Sequence, residues 1–399
     1  VTVTTAQQLT VPSPRGRCPL DVPPAYQQAA QETPVVRIGL PFGEDCWLIT
    51  RYEDVRAVLT DSRFSADATR PGFPLISEEL RAMAAATRST DAFVNEQEHL
   101  RRRRMLTTEF KAKRVEALRP EIQQMVDDTL DQMIAGGSPA DLMADFAVPV
   151  GSGVIALLLG VPTMDTKYFQ ERSHVLLDEA AKSEEKMAAQ RDLMEYVVGL
   201  TVDKQQNPDE GFLSRLVERG ELTGEEVAGS GLLLLLAGHE TTAAMIALSI
   251  IALHRNPEQQ VLLRQDPSLV KGAVEEMLRY ATLVQNGLGR VAVEDAVIGG
   301  QLIRAGEGVL CMLSTANRDE EVFPGGGHLD VTRPARGHMS FGYGLHQCVG
   351  QSLARAELQI ALGTLLRRLP ELRLDVPVEE LGFRYRAGLY AVDALPVAW

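Results

Sequence analysis

The residues best suited to chemistry lie together at Phe341-Gly342-Tyr343-Gly344-Leu345-His346-Gln347-Cys348-Val349-Gly350. A single cysteine sits in this glycine-punctuated loop, ahead of leucines at 353, 358, 362, 365 and 369 at roughly helical spacing. Cys348 is therefore expected just before, or in the first turn of, a helix. The partial positive charge and unbonded N–H groups of a helix start favour a thiolate over a thiol. A thiolate is a nucleophile or a metal ligand. The glycines let the backbone turn tightly and donate hydrogen bonds to the sulfur. Taken alone, the cysteine reads equally as a small buried hydrophobe.

Two further groups stand out. Ala237-Gly238-His239-Glu240-Thr241-Thr242 interrupts a long apolar helix that starts at Thr223, with Glu226 three residues on, and runs to about Leu253. Glycine inside a helix costs roughly 0.5–1 kcal/mol relative to alanine, so such a break points to function; a stripe on a half-exposed helix is the plainer alternative. In Glu98-His99-Leu100-Arg101-Arg102-Arg103-Arg104, His99 and Arg103 are four apart and share a helical face. Two donors on one face suit an anion, whereas a solvated basic face is the plainer reading.

The cysteine string resembles the ligand loop of the cytochrome P450 family, the heme-thiolate monooxygenases, whose pattern Phe-x-x-Gly-x-His-x-Cys-x-Gly it matches at every fixed position, Gly350 included. The resemblance implies that Cys348 is the axial ligand of the heme iron and pushes electron density towards it. It implies that Phe341 shields the sulfur and that His346 reaches a heme propionate. Ala237, Gly238, Glu240 and Thr241 match the family's Ala/Gly-Gly-x-Asp/Glu-Thr, in which Gly238 leaves room for dioxygen, Thr241 holds the oxygen and Glu240 relays protons. His99 and Arg103 match its propionate-binding His-x-x-x-Arg, and Arg290 stands at another propionate position. The preceding Asn95-Glu96-Gln97 departs from the usual Asp-Pro-Pro, so a less rigid approach to this helix is expected. Glu276 and Arg279 match Glu-x-x-Arg, a structural network with Arg333 as candidate third member. Ala316-Asn317-Arg318-Asp319 matches as well, but Phe323-Pro324-Gly325-Gly326-Gly327 lacks the usual second proline and should be looser. Gln285 and Asn286 fall where the family's chain passes the heme pocket, either as substrate contacts or as a solvent-exposed bend. His338 is a weaker candidate for a polar contact at the heme edge.

The chain has 399 residues, 45% of them hydrophobic, and a net charge of −14, which argues against nucleic-acid binding. Its cysteines, at 18, 46, 311 and 348, show no paired spacing, as suits a reduced, cytosolic setting. The stretch Val1–Leu20, with Pro12, Pro14 and Pro19, reads as an extended arm without an apolar signal core. The longest apolar run, Leu232–Ala237, is far short of a membrane span, and no membrane anchor is expected. Val35–Leu40 and Trp47–Thr50 read as strands about a turn at Pro41-Phe42-Gly43, and Tyr52–Leu59 as a helix. Arg70–Arg88 reads as a mobile loop holding a short helix, of the kind that closes over substrate in the family. Val115 to Gln206 is helical, with breaks near Gly136-Gly137-Ser138-Pro139, Gly160-Val161-Pro162 and Asn207-Pro208. The family's substrate lid falls at Asp165–Leu200, where Met187, Met194 and His174 either touch substrate or pack. Val291–Ile298 reads as one strand after Arg290, with a turn at Gly299-Gly300, and Glu371–Trp399 as short strands with a turn near Ala387–Tyr390.

The expectation is one domain, 1–399, mainly α with a small β-rich lobe, with heme between the threonine helix and the cysteine loop. The resemblance implies a monooxygenase carrying heme b (iron protoporphyrin IX). It would take electrons from NAD(P)H through a ferredoxin and its reductase, and insert one atom of O2 into a hydrophobic small molecule such as a polyketide, macrolide, sterol or drug. The soluble bacterial branch, especially that of actinomycetes, is the nearest in pattern. Arg101, Arg102 and Arg104, with Lys111, Lys113 and Arg114, would form a basic patch for an acidic ferredoxin. A heme-thiolate peroxygenase, isomerase or heme sensor is the alternative. A zinc site or cysteine hydrolase built on Cys348 and His346 is a third reading, short of the three or four ligands zinc needs.

Overall fold

The structure, a computed structural model, describes residues 9–40, 45–76, 96–162, 165–177, 181–385 and 388–399. The turn at Pro41-Phe42-Gly43, most of the Arg70–Arg88 loop, Asn95, Ala387 and the side chain of His174 lie outside the described residues. The strands, in chain order, are β1 (Val35–Ile38), β2 (Cys46–Ile49), β3 (Phe64–Ser65), β4 (Ala140–Asp141), β5 (Leu288–Ala292), β6 (Ala296–Ile298), β7 (Gln301–Ile303), β8 (Gly308–Cys311), β9 (Arg373–Leu374) and β10 (Pro396–Ala398). By internal contacts the chain divides into two compact units. The first is Val1–Thr107, Leu248–Gln351 and Gly382–Asp393; the second is Thr108–Ala247, Ser352–Leu381 and Ala394–Trp399.

In the first unit a five-stranded sheet runs β1-β2-β8-β5-β3, with β2 and β8 parallel and the other pairs antiparallel. Apolar side chains of the sheet and of the helix Tyr52–Thr60, among them Ile49, Val55, Val58, Val309 and Cys311, pack in one cluster with Met339, two residues before Phe341. The single strand expected at Val291–Ile298 is two. Glu294-Asp295, poor strand formers, turn the chain, and Asp295 Oδ1 accepts from Ala305 N at 2.9 Å. Arg290 accordingly lies inside β5, opposite Val309 on β8.

The Gly325-Gly326-Gly327 loop is not loose. Arg279 donates to Gly326 O at 2.9 Å, Arg318 to Gly327 O at 2.8 Å, and Arg333 to Gly325 O at 3.0 Å and to Pro324 O. These arginines supply the restraint that a second proline would have given.

The second unit is helical apart from the three-stranded sheet β4-β10-β9. Helices Ala112–Gly136, Val148–Leu159 and Ser183–Gln206 stop at the expected breaks, while Thr166–Leu177 ends where none was expected and Phe212–Arg219 follows the last of them. The threonine helix, Gly224–Arg255, opens on the expected box: Thr223 N donates to Glu226 at 2.8 Å and Glu226 N to Thr223 Oγ1 at 3.2 Å. Its backbone is helical throughout, so Gly238–Thr242 interrupts the apolar pattern but not the helix. The polar side chains here bond back to the helix's own carbonyls. Thr241 Oγ1 donates to Ala237 O at 2.9 Å, Thr242 Oγ1 lies 3.2 Å from Gly238 O, and His239 Nδ1 lies 2.7 Å from Leu235 O. Among the described residues this is the one helix long and apolar enough to cross a membrane, and 72% of its apolar window is buried inside the protein, as in a core helix.

Candidate functional site

In the first unit the cysteine loop is folded by its own backbone. Gly342 N donates to Met339 O at 2.8 Å, Gln347 N to Gly344 O at 3.1 Å and Cys348 N to Phe341 O at 2.8 Å. Gly344 has φ +71°, and a Cβ there would come 2.5 Å from Leu59 O, so only glycine lets the loop press on the helix Tyr52–Thr60. Cys348 is left exposed, three residues ahead of the helix Gln351–Arg368.

The loop is anchored from behind by Asn317. Its amide donates to Thr282 Oγ1 at 2.7 Å and Ser340 Oγ at 2.9 Å, and its carbonyl accepts from Met339 N at 2.7 Å. Arg279, fully buried, makes two 2.7 Å bonds to Glu276 and another to Asn317 O; Arg333 reaches Glu276 at 3.3 Å, as the three-residue network requires. His338 is not a free contact at a heme edge. Its Nε2 lies 3.2 Å from Glu275, its Nδ1 accepts from Ser340 N, and its ring lies 5.9 Å from that of Phe341.

Basic groups surround this loop. His99 and His346 are stacked with ring centroids 4.2 Å apart. Arg103 Nη2 donates to Gln347 O at 2.6 Å, and Arg290 Nη1 to Gly289 O at 2.7 Å. Neither arginine pairs with a carboxylate among the described residues. Burial, then the positive potential of His99, Arg290 and Arg103, pushes the His346 pKa down to about 4, so its imidazole is neutral at pH 7. Arg103, Arg290 and the neutral His346 thus place hydrogen-bond donors around an exposed cysteine, an arrangement suited to an anion. The donor set fits a ligand with two carboxylates and a thiolate-seeking metal, as heme has. Among the described residues no group of three or more His, Cys, Asp and Glu is arranged to hold a metal ion by itself. Gln285 and Asn286 are buried and form no solvent-exposed bend; Gln285 Nε2 donates to Arg384 O at 3.0 Å.

In the second unit the threonine helix presents one open face. Leu233 and Ala237 are exposed and Thr241 half-exposed, at four-residue intervals, while Leu234, Leu235, His239 and Thr242 are buried. Glu240 is half-buried. Gly238 has a packing reason of its own: a Cβ would overlap Ile155 Cδ1 on the helix Val148–Leu159. Gly151 makes the reciprocal approach, since a Cβ there would lie 2.6 Å from His239 O. Of the lid candidates, Met187 and Met194 are exposed.

Sequence reasoning missed Glu357. This residue is buried on the helix that follows the cysteine, with Oε2 3.3 Å from Thr242 Oγ1. Burial pushes its pKa well above the ordinary 4.5. The signal was a carboxylate in the buried stripe of that helix, four residues from both Leu353 and Ala361.

Comparison with known proteins is decisive on kinship. The cytochrome P450 family model matches residues 157–372. Cytochrome P450-SU2 of Streptomyces griseolus is 56% identical over 98% of this chain and 97% of its own length. Vitamin D3 dihydroxylase of the same species is 43% identical over 100% and 99%. The crystal structure of the mycinamicin VIII C21 methyl hydroxylase of Micromonospora griseorubida, bound to mycinamicin VIII, superposes with a TM-score of 0.85 at 39% identity, covering 96% of this chain and 98% of that one.

Proposed function

The chain belongs to the cytochrome P450 family and is a monooxygenase with a heme iron cofactor, and we propose that it hydroxylates or epoxidises a bulky, hydrophobic small molecule of the macrolide, polyketide or sterol kind or a drug, with O2 as oxidant. The cofactor would be heme b, the electrons would come from NAD(P)H through a ferredoxin and its reductase, and the setting would be cytoplasmic. One observation carries the reading: an exposed Cys348 in a loop closed by its own N–H, beside Arg103 and Arg290, which pair with no carboxylate among the described residues. The macrolide bound to the mycinamicin hydroxylase and the naming of the vitamin D3 dihydroxylase support the substrate class.

The heme supplies the activation of dioxygen and the cleavage of its O–O bond. The rest falls to the chain. Cys348 Sγ would ligate the iron, with Phe341 covering the sulfur and Gly350 ending the loop. His99, Arg103, Arg290 and His346 would hold the propionates. Ala237 and Gly238 would form the small-residue wall beside the oxygen site. Thr241 Oγ1, its hydrogen committed to Ala237 O, offers lone pairs on the helix's open face and would accept a proton donor there. Glu240, one residue earlier, would bring protons to it. A heme sensor has no use for such a pair.

The test is twofold. The reduced protein is exposed to carbon monoxide and its absorption compared with that of Cys348→Ser. The thiolate band should be present in the first and lost in the second; its persistence in Cys348→Ser would move the ligand elsewhere. Turnover of a macrolide and sterol panel with ferredoxin, reductase and isotopically labelled dioxygen should then yield product carrying the label. Product without it would reject oxygen insertion.

A further inference from the structure

Glu357 has no part in the reaction set out above, yet its surroundings constrain it tightly. It is 1% exposed. Oε2 meets Thr242 Oγ1 at 3.3 Å, and Oε1 has no hydrogen-bond partner among the described residues. No Lys, Arg or His offsets it among the described residues. Thr242 Oγ1 also lies 3.2 Å from Gly238 O. A hydroxyl carries one hydrogen. Were Glu357 ionised, both neighbours of that hydroxyl would be acceptors, and one contact would set lone pair against lone pair. A carboxylate with one oxygen wholly unsatisfied is also among the costliest groups to bury. A neutral carboxylic acid removes both difficulties: Glu357 Oε2–H donates to Thr242 Oγ1, and Thr242 donates to Gly238 O.

We propose that Glu357 is a neutral acid and a positioning residue for the threonine helix, committing the Thr242 hydroxyl to the Gly238 carbonyl. Consecutive carbonyls, Ala237 and Gly238, are then capped by consecutive hydroxyls, Thr241 and Thr242. Without a donor at 357 the Thr242 hydroxyl turns from Gly238 O to the carboxylate, the cap on that turn is lost, and Thr241 on the same turn loses its aim. The consequence for turnover rests on the role given to Thr241 above; the protonation state does not.

Infrared difference spectra of heme-loaded wild type against Glu357→Gln at neutral pH test the acid directly. A carboxylic-acid carbonyl band, shifting in deuterated water, should belong to Glu357; loss of carboxylate bands instead would overturn the proposal. Thr242→Val should shift that acid band by removing its acceptor, and an unmoved band would overturn the donor geometry. For positioning, Glu357→Gln keeps an uncharged donor to Thr242, whereas Glu357→Leu fills the space without one. Product per NAD(P)H should stay near wild type in Glu357→Gln and fall roughly five-fold in Glu357→Leu, with the carbon monoxide band retained in both. Equal coupling in the two variants would overturn it. Should Glu357→Leu not fold, Thr242→Val takes its place in the coupling measurement, with the same fall expected and no fall overturning. If wild type yields no product, the proposed function fails while the infrared result still decides Glu357.

Discussion

Single side chains here are set by neighbours that the local sequence does not name. Cys348, His99, Arg103 and Thr241 could be picked out as candidates because each sits in a short string of distinctive spacing. Glu357 was not, since its partner Thr242 is 115 residues away and only contact reveals the pair. Gly238 was read as room for dioxygen, and the structure adds the reason of Ile155 behind it. Thr241→Ala should leave the heme and substrate-binding spectra intact but lower product per NAD(P)H by roughly ten-fold or more, because a positioned proton acceptor is lost from the open face. Unchanged coupling would remove Thr241 from the reaction. Glu357 gives a pH prediction. Its folded pKa is raised, so between about 4.5 and that raised value the folded chain holds a proton that the unfolded chain has released. Wild type therefore loses stability as pH rises through this window, and Glu357→Gln does not. The melting temperature of the variant relative to wild type should climb from about pH 4.5 upward; a flat difference would mean that Glu357 is ionised in the folded chain.

Elements were readable where periodicity was strong and less so where distant groups impose order. The capping box at Thr223 and the helix stops at Gly136, Leu159 and Gln206 all fell where local signals put them. The glycine loop after Pro324 did not behave as its composition suggested, because Arg279, Arg318 and Arg333 bind its carbonyls from outside. The same network yields a prediction. Glu276→Ala leaves the Arg279 guanidinium buried without its carboxylate and should cost about 3–5 kcal/mol of stability. A denaturation midpoint within error of wild type would show that the carbonyls alone suffice. Gly344→Ala combines a left-handed backbone with a Cβ 2.5 Å from Leu59 O. It should displace the cysteine loop and lower heme occupancy while the helices persist by circular dichroism; full occupancy would show that Leu59 yields.

For the molecule as a whole, charge and chain order matter more than any one contact. Against a net charge of −14, the cluster Arg101, Arg102, Arg104, Lys111, Lys113 and Arg114 is a local reversal of sign. Exposed charges are screened beyond about 8–10 Å at physiological salt, so attraction to the proposed acidic ferredoxin would act mainly on the encounter rate. Arg102→Glu and Arg104→Glu should slow stopped-flow reduction by ferredoxin, most at low ionic strength, and leave reduction by dithionite unchanged; equal rates across the salt series would put the donor elsewhere. The interleaved units have a consequence for synthesis. Asp141 ends β4, and its carboxylate accepts from Leu395 N at 2.8 Å, 254 residues later. β4 pairs with β10, which follows Leu395 directly, so neither bond can form until the last stretch has left the ribosome. At about 5–20 residues per second that wait is roughly 10–50 s. Throughout it, β4 and the Asp141 carboxylate stand in the nascent chain without the strand and the N–H that complete them.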